Sequence, residues 1–122
     1  MKLQPDQSTQ QSVIALRNGA LLSSHGHRAE TGVMMSAEGL FVTLPQAELE
    51  ETIVHQLNQL PLQELEVLIV GTGEHHAFFS PTWRHALHNP QIGIESMTTA
   101  AACRTFNVLA LEGRRVALWA KL

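Results

Sequence analysis

Short apolar segments separated by polar turns dominate the first third of the chain. Val13–Arg17 and Ala20–Ser23 flank Asn18-Gly19. Asn-Gly is the pair best suited to a type I′ turn, because both positions tolerate positive φ. The pattern therefore predicts an N-terminal β-hairpin. Two more short strands are predicted at Gly32–Ser36 and at residues 40–43, joined through residues 37–39.

A helical repeat of apolar positions follows these strands. Apolar residues recur at spacings of four, four and three with glutamate and glutamine between them, which predicts an amphipathic helix that ends before Pro61. The repeating positions are Leu49, Ile53, Leu57 and Leu60.

The second half of the chain alternates strands and helices. Residues 67–70 are continuously apolar and mostly β-branched, which predicts a central strand buried on both faces. Ser80-Pro81 and Asn89-Pro90 are start and stop signals for a short helix over residues 82–88.

The last three predicted elements are a strand, a helix and a strand. Residues 92–97 form the first strand, and Thr98 or Thr99 caps a helix that runs to Leu111 and ends at Gly113. Residues 116–120 are apolar on both faces and form the last strand. The alternation predicts an α/β domain with a mixed or parallel central sheet covered by helices.

Composition favours one globular domain in a reducing compartment. The chain has 122 residues, of which 44% are hydrophobic and 16% charged, enough for a single core. Residues 12–122 are expected to form the domain, and the polar residues 1–11 a mobile tail. One cysteine permits no internal disulfide, and no secretory signal or membrane-spanning apolar run is present. We therefore expect a cytoplasmic protein without membrane insertion.

Charge is distributed unevenly along the sequence. Residues 1–76 carry three basic and nine acidic side chains, whereas residues 77–122 carry five and two. Nucleic-acid binders usually have a denser basic stripe with interleaved aromatic residues, and this chain has four phenylalanines, two tryptophans and no tyrosine. Nucleic acid is therefore not an expected partner.

A crevice is predicted where two strands end. Gly71-Thr72-Gly73 follows one buried strand and Thr98-Thr99 follows another, so both loops share one rim if these strands are parallel. Backbone amides at the glycines and in the first helical turn suit an anionic ligand. Glycines after a strand are, however, often needed only for a tight turn. The candidate ligand-binding residues are Gly71, Thr72, Gly73, Thr98, Thr99, Cys103, Arg104 and Asn107.

No catalytic or metal-binding set is complete in the sequence. Cys103 lies one turn inside the predicted helix, where burial in the core is expected, and a nucleophile would need a histidine such as His75 or His76. The histidines form only local pairs, which favours solvated surface side chains over metal ligands. These pairs are His25 with His27, His75 with His76, and His85 with His88. No cofactor is predicted.

Charged residues crowd the turn before the last strand. Two alternatives are open for them: Glu112 pairs with Arg104 or with an arginine after the turn, or the arginines form part of a docking surface. The sequence alone does not choose between them. The candidate partner-binding residues are Arg104, Glu112 and Arg114.

Two runs resemble the signature of an uncharacterised-domain family. They are residues 97–109, Met-Thr-Thr-Ala-Ala-Ala-Cys-Arg-Thr-Phe-Asn-Val-Leu, and residues 112–117, Glu-Gly-Arg-Arg-Val-Ala. Residues 70–73 and Pro81 also resemble its pattern. The family includes mitochondrial NADH dehydrogenase (complex I) assembly factor 3, an adipogenesis-associated protein and many prokaryotic members.

The resemblance implies a three-layer α/β fold without an established activity or cofactor. It also implies a role of some eukaryotic members in assembling a respiratory membrane complex. Phe106 stands where tyrosine is common in the motif. The leading hypothesis is therefore a binding or assembly-helper protein that is not an enzyme and has protein partners. The alternative is a small-molecule or enzymatic site in the crevice; the sequence leaves the ligand, the oligomeric state and the strand order open.

Overall fold

The computed structural model of the chain describes residues 10–45, 53, 55–58, 64–76 and 91–122. Within these ranges, Ile53 and residues 55–58 are helical, which agrees with the predicted amphipathic helix where it is described. The elements with defined bounds are β1 (Val13–Arg17), β2 (Ala20–Ser23), β3 (Arg28–Ala29), β4 (Gly32–Ser36), β5 (Phe41–Thr43), β6 (Val67–Gly71), β7 (Gly93–Met97), the C-terminal helix (Thr99–Leu111) and β8 (Val116–Lys121).

The predicted hairpin is confirmed. β1 pairs antiparallel with β2, and the turn residues Asn18 and Gly19 have φ values of 54° and 77°, as a type I′ turn requires. The register shifts between Val13 and Ala15, so Ile14 occupies a β-bulge. The two-residue strand β3 pairs with β2 and completes a three-stranded sheet; this strand was not predicted, because the segment around it is polar and short.

A five-stranded mixed sheet forms the centre of the fold, as predicted. Its strand order is β5-β4-β8-β6-β7, with β8 antiparallel to β4 and parallel to β6. The apolar run at residues 67–70 is the fully buried interior strand β6, although β8 takes the middle position. β6 and β7 are parallel, so the loops that follow them leave the same edge of the sheet.

The sheet is buried on both faces. Met35, Ile69 and Leu118 belong to a core with Phe106 of the C-terminal helix, and residues of the hairpin sheet pack into the same core. Met34, Leu68 and Trp119 point to the opposite face, where Ile53 of the helical segment belongs to their cluster. Helical structure therefore covers both faces, and the predicted three-layer α/β architecture is confirmed.

The C-terminal helix begins and ends at the predicted signals. Thr98 is the N-cap, and its hydroxyl accepts a hydrogen bond from the Ala101 amide at 3.3 Å. Gly113, with φ of 81°, donates to the Ala110 carbonyl at 3.0 Å and turns the chain toward β8. Of the two predicted caps, Thr98 is therefore the correct one.

Gln11 is an anchor that the sequence reading missed. Its side chain is fully buried, and Nε2 donates to the carbonyls of Ser36 and Leu40 at 3.0 and 2.9 Å. Gln11 therefore belongs to the folded domain rather than to the tail predicted for residues 1–11. Residues 1–9, the predicted helix at residues 82–88 and most of the one at residues 49–60 lie outside the described residues.

Candidate functional site

The predicted crevice is held together by the side chain of Thr99. The Thr99 hydroxyl accepts a hydrogen bond from the Gly73 amide at 2.9 Å and donates one to the Lys121 carbonyl at 2.7 Å. The Thr99 amide donates to the Gly73 carbonyl at 2.9 Å. The backbone of Thr72 also joins the two loops, since its amide donates to the Met97 carbonyl at 2.9 Å. The two loops share one rim, as predicted, and Thr99 links them to β8.

Each glycine of this rim is required by the backbone, one for close packing and the other for its φ angle. A Cβ on Gly71 would lie 2.8 Å from Thr99 Oγ1 and 3.0 Å from Thr99 Cα, so only glycine lets the strand approach the helix this closely. Gly73 has φ of 101°, a conformation that other residues rarely adopt. Close packing at Gly71 and the positive φ at Gly73 therefore account for both glycines without a ligand.

Most amides at the start of the helix already have acceptors inside the protein. The Thr99 amide donates to Gly73, the Ala101 amide to the Thr98 side chain, and the Ala102 amide to the Thr98 carbonyl at 2.8 Å. An anion at this position would have to compete with these bonds. The helix terminus therefore offers much less to a ligand than the sequence pattern predicted.

Cys103 is a core residue. Its side chain is 5% exposed and belongs to the cluster around Phe106. Burial raises the pKa of the thiol to about 11, against a smaller lowering by the Arg104 charge. At neutral pH the group is a protonated thiol, so it is not activated as a nucleophile.

Asn107 connects the helix to the hairpin. Its Oδ1 accepts from the Val13 amide and its Nδ2 donates to the Val13 carbonyl, both at 2.8 Å. The amide side chain thus extends the edge of β1 as a further strand residue would. This candidate ligand residue therefore has a structural role.

The arginines after the helix pair with a residue that was not predicted. Arg114 Nε lies 2.8 Å from Glu66 Oε1, and Glu66 also accepts a bond from the Arg115 amide at 3.3 Å. These two hydrogen bonds hold the pKa of Glu66 below its ordinary value. Among the described residues, no ion pair within 4.0 Å joins Glu112 to Arg104, Arg114 or Arg115, so the suggested pairing is not formed. The pKa of Arg114 is raised mainly by its hydrogen bond with Glu66, and the Glu112 charge adds only a minor contribution. Because Arg114 and Glu66 are nearly half exposed, the pair adds little stability.

Three large apolar side chains of β1 and the C-terminal helix are exposed. Ile14 is 60% exposed, Val108 55% and Leu111 76%. Arg104, Val108 and Leu111 are spaced by four and three residues and share one face of the helix, and Ile14 lines a depression together with Arg104. We call Ile14, Arg104, Val108 and Leu111 the recognition face.

The sequence contains an indication of this face: two apolar residues of the helix lie outside its buried positions. The buried positions of the helix are Thr99, Ala102, Cys103, Phe106 and Ala110. Val108 and Leu111 lie outside that repeat, and apolar residues outside the buried repeat of an amphipathic helix mark its exposed face. The exposure of Ile14 follows from the bulge, which the alternation of the strand did not predict.

The histidines form no metal site within the described parts of the chain. No group of three or more potential ligands comes together there, and His75 and His76 are exposed after Gly73. His27 instead stacks on Phe41 with ring centroids 5.1 Å apart. His85 and His88 lie outside the described residues. In the same ranges, no helix is both long enough and apolar enough to cross a membrane.

Comparison with known proteins gives a consistent family and fold. The family model described as protein of unknown function (DUF498/DUF598) matches residues 5–120. A solved structure from Bordetella parapertussis is 29% identical with a TM-score of 0.76, over 93% of this chain and 96% of that one. A Mth938-like domain protein of Bordetella pertussis is 27% identical with a TM-score of 0.75, over 99% and 92% of the chains.

A third solved structure, from Xanthomonas campestris, is 30% identical with a TM-score of 0.70. The match covers 91% of this chain and 83% of that one. No curated protein matches the sequence.

Proposed function

Since this chain belongs to the DUF498/DUF598 family of proteins of unknown function, as its sequence resemblance predicted, we propose that it works as a protein-binding module and catalyses no reaction. The partner binds at the recognition face. The observation that carries this proposal is the exposure of three large apolar side chains around Arg104 on a folded domain.

Exposed apolar groups of this size are costly in water unless they are covered. Contiguous exposed apolar patches mark interaction sites, and arginine is among the residues that carry most of the binding energy at protein interfaces. The side chains of Val108 and Leu111 would be buried by a partner, and Arg104 would meet a carboxylate at the margin. Binding therefore explains an arrangement that folding alone does not require.

The side chains that chemistry would need are engaged in holding the fold together. The Thr99 hydroxyl and the Asn107 amide both donate and accept within the protein. The Cys103 thiol is buried and protonated at neutral pH. A catalytic role would have to break contacts that join the helix to its neighbours, which favours recognition over catalysis.

The resemblance to complex I assembly factor 3 suggests the first partners to test. By this analogy the partner is a subunit of a membrane complex that is bound before or during assembly. Arg104 belongs to the recognition face, whereas Arg114, the other candidate arginine, is already paired with Glu66. We therefore assign recognition to Arg104 and a structural role to Arg114.

Capture of tagged protein from its native host, with quantitative mass spectrometry, tests the proposal. Val108→Asp and Arg104→Ala should each lower recovery of a specific partner at least about fivefold, because truncating an interface hot spot costs more than 1 kcal/mol. Arg28→Ala is the matched control, since Arg28 is exposed on β3 and pairs with Glu30. The captured partner is then purified and titrated directly against the same three variants.

Equal recovery by Val108→Asp, Arg104→Ala and wild type would show that the recognition face does not bind the partner. Circular dichroism and thermal melts establish that each variant is folded. Wild-type affinity of both variants in the direct titration would contradict the proposal in the same way.

The small-molecule hypothesis retains one supporting observation. A cleft of about 310 Å³ lies beside Gly73 and Thr98, and Arg17 and Lys121 contribute to its lining. Two basic side chains there would suit a carboxylate or another anion. Competition by free succinate against a bound peptide distinguishes a free anion from an anionic segment of a protein.

A further inference from the structure

Two depressions adjoin along the junction between β1 and the C-terminal helix. The cleft of about 310 Å³ lies between the hairpin turn and the start of the helix. A second depression, of about 250 Å³, continues along β1 toward Arg104. Leu16 and Ala100 line both of them, so the two depressions are adjacent, and we call them together the groove. This groove borders the recognition face at Ile14 and Arg104.

The groove is basic. Arg17 and Lys121 lie at its wider part and Arg104 at its other end. None of these three side chains forms an ion pair with a residue in the described ranges. Glu74 supplies the one acidic side chain among the described lining residues. The electrostatic complement of this lining is an acidic ligand, although the whole chain has a net charge of −3.

One edge of β1 faces the groove. Its backbone groups at Val13 are bound by Asn107. In a hairpin with a two-residue turn, the residues that flank the turn, here Arg17 and Ala20, exchange backbone hydrogen bonds. The next pair, Leu16 and Leu21, does not, so the amide and carbonyl groups of each point away from the partner strand. Leu21 uses this outward direction to pair with Ala29 of β3. Leu16 therefore presents its amide and carbonyl to the groove.

The walls of the groove are fixed before any ligand binds. Asn107 holds β1 to the helix, and Thr99 joins the helix to Gly73 and to the Lys121 backbone. A fixed wall lowers the entropy cost of binding an extended segment. In β-strand addition, an extended peptide pairs with the backbone of an exposed strand edge, and its side chains contact the surface beside that edge.

We infer that this groove binds an extended acidic segment of another protein. The segment pairs with the backbone of Leu16, places carboxylates near Arg17, Lys121 and Arg104, and packs an apolar side chain against Ile14. The inference rests on the proposed function and specifies the partner's chemistry. Charge complementarity selects an acidic segment as the occupant.

A phage-displayed library of random dodecapeptides, selected against the full chain, provides the probes. Enriched peptides should be rich in aspartate and glutamate around an apolar residue. Synthetic versions are then measured by fluorescence polarisation against wild type and the double variant Arg17→Glu, Lys121→Glu. The double reversal should weaken binding on the order of tenfold, because two attractive charge contacts become repulsive.

The matched control is Arg28→Glu with Arg115→Glu, which changes the net charge equally on other surfaces and should change affinity by less than about twofold. A peptide with its acidic residues replaced by lysine should prefer the groove variant to wild type. This exchange of preference would not result from general destabilisation. Thermal melts verify folding.

Three outcomes of the peptide experiment would overturn the inference. In the first, the selection yields no peptides, or peptides without an acidic bias. In the second, the groove and control variants bind the peptide equally. In the third, free succinate at matched concentration displaces the peptide. The last outcome would identify a small carboxylate as the ligand. If the native partner is lost with Val108→Asp but retained with the groove variant, the proposed function holds and this inference is wrong.

Discussion

At the scale of single residues, the approach of Gly71 to Thr99 is the tightest constraint on the rim. Replacing Gly71 with alanine would place the new Cβ 2.8 Å from the Thr99 hydroxyl and 3.0 Å from its Cα. We expect Gly71→Ala to lower the free energy of unfolding by about 1–3 kcal/mol, as overpacking does in well-packed sites. Urea denaturation measures the change.

Gly93→Ala is the control for that substitution. A Cβ there meets its nearest atom at 3.6 Å, an ordinary contact, so the change should be much smaller. Equal effects of the two substitutions would mean that the Thr99 contact does not determine the requirement for glycine.

The buried thiol gives the stability a dependence on alkaline pH. Burial raises the pKa of Cys103 from 9.0 to about 11, so the folded state retains a proton that the unfolded state releases in this range. The contribution of the thiol to stability is present below pH 9 and lost as pH rises toward 11, by about 2–3 kcal/mol in all. Urea denaturation of wild type and Cys103→Ala at pH 8 and 10 should show a steeper loss for wild type. Parallel losses would contradict the effect.

At the scale of elements, Asn107 determines how the hairpin attaches to the helix. Asn107→Ala removes two hydrogen bonds and leaves the Val13 amide and carbonyl without their partner, which should cost about 1–3 kcal/mol. Amide exchange in β1 should accelerate more than exchange in β6. Thr105→Ala, which removes a weaker bond to Met97 from the same helix, is the control. Uniform acceleration in both strands would show that Asn107 stabilises the whole domain rather than this attachment.

Elements with strong local signals were predictable. Asn18-Gly19 determines a turn by its own backbone preference, and Thr98 and Gly113 bound the helix by local hydrogen bonds. β3 has only Arg28 and Ala29, and its pairing depends on β2 rather than on its own composition. Local chemistry therefore predicts most of the described elements, but not a strand whose stability comes from its neighbour.

At the scale of the whole molecule, the mixed sheet followed from the alternation of elements, but the strand order did not. The middle position of β8 depends on pairing with β4, far away in sequence, and with β6. The site was predictable to the same extent: the shared rim followed from parallel strands, whereas the groove depends on how the hairpin sheet packs against the helix. Long-range packing also explains why Arg114 pairs with Glu66 rather than Glu112.

The position of β8 has a consequence for biosynthesis. β8 bridges β4 and β6, so the strands of the first half have no partner in the second half until residues 116–121 are available. On the ribosome, the β4–β5 ribbon and one edge of β6 must emerge unpaired and remain so until β8 has been synthesised. Closure of the sheet therefore follows the synthesis of β8, and chaperone protection of those edges would matter most before β8 emerges.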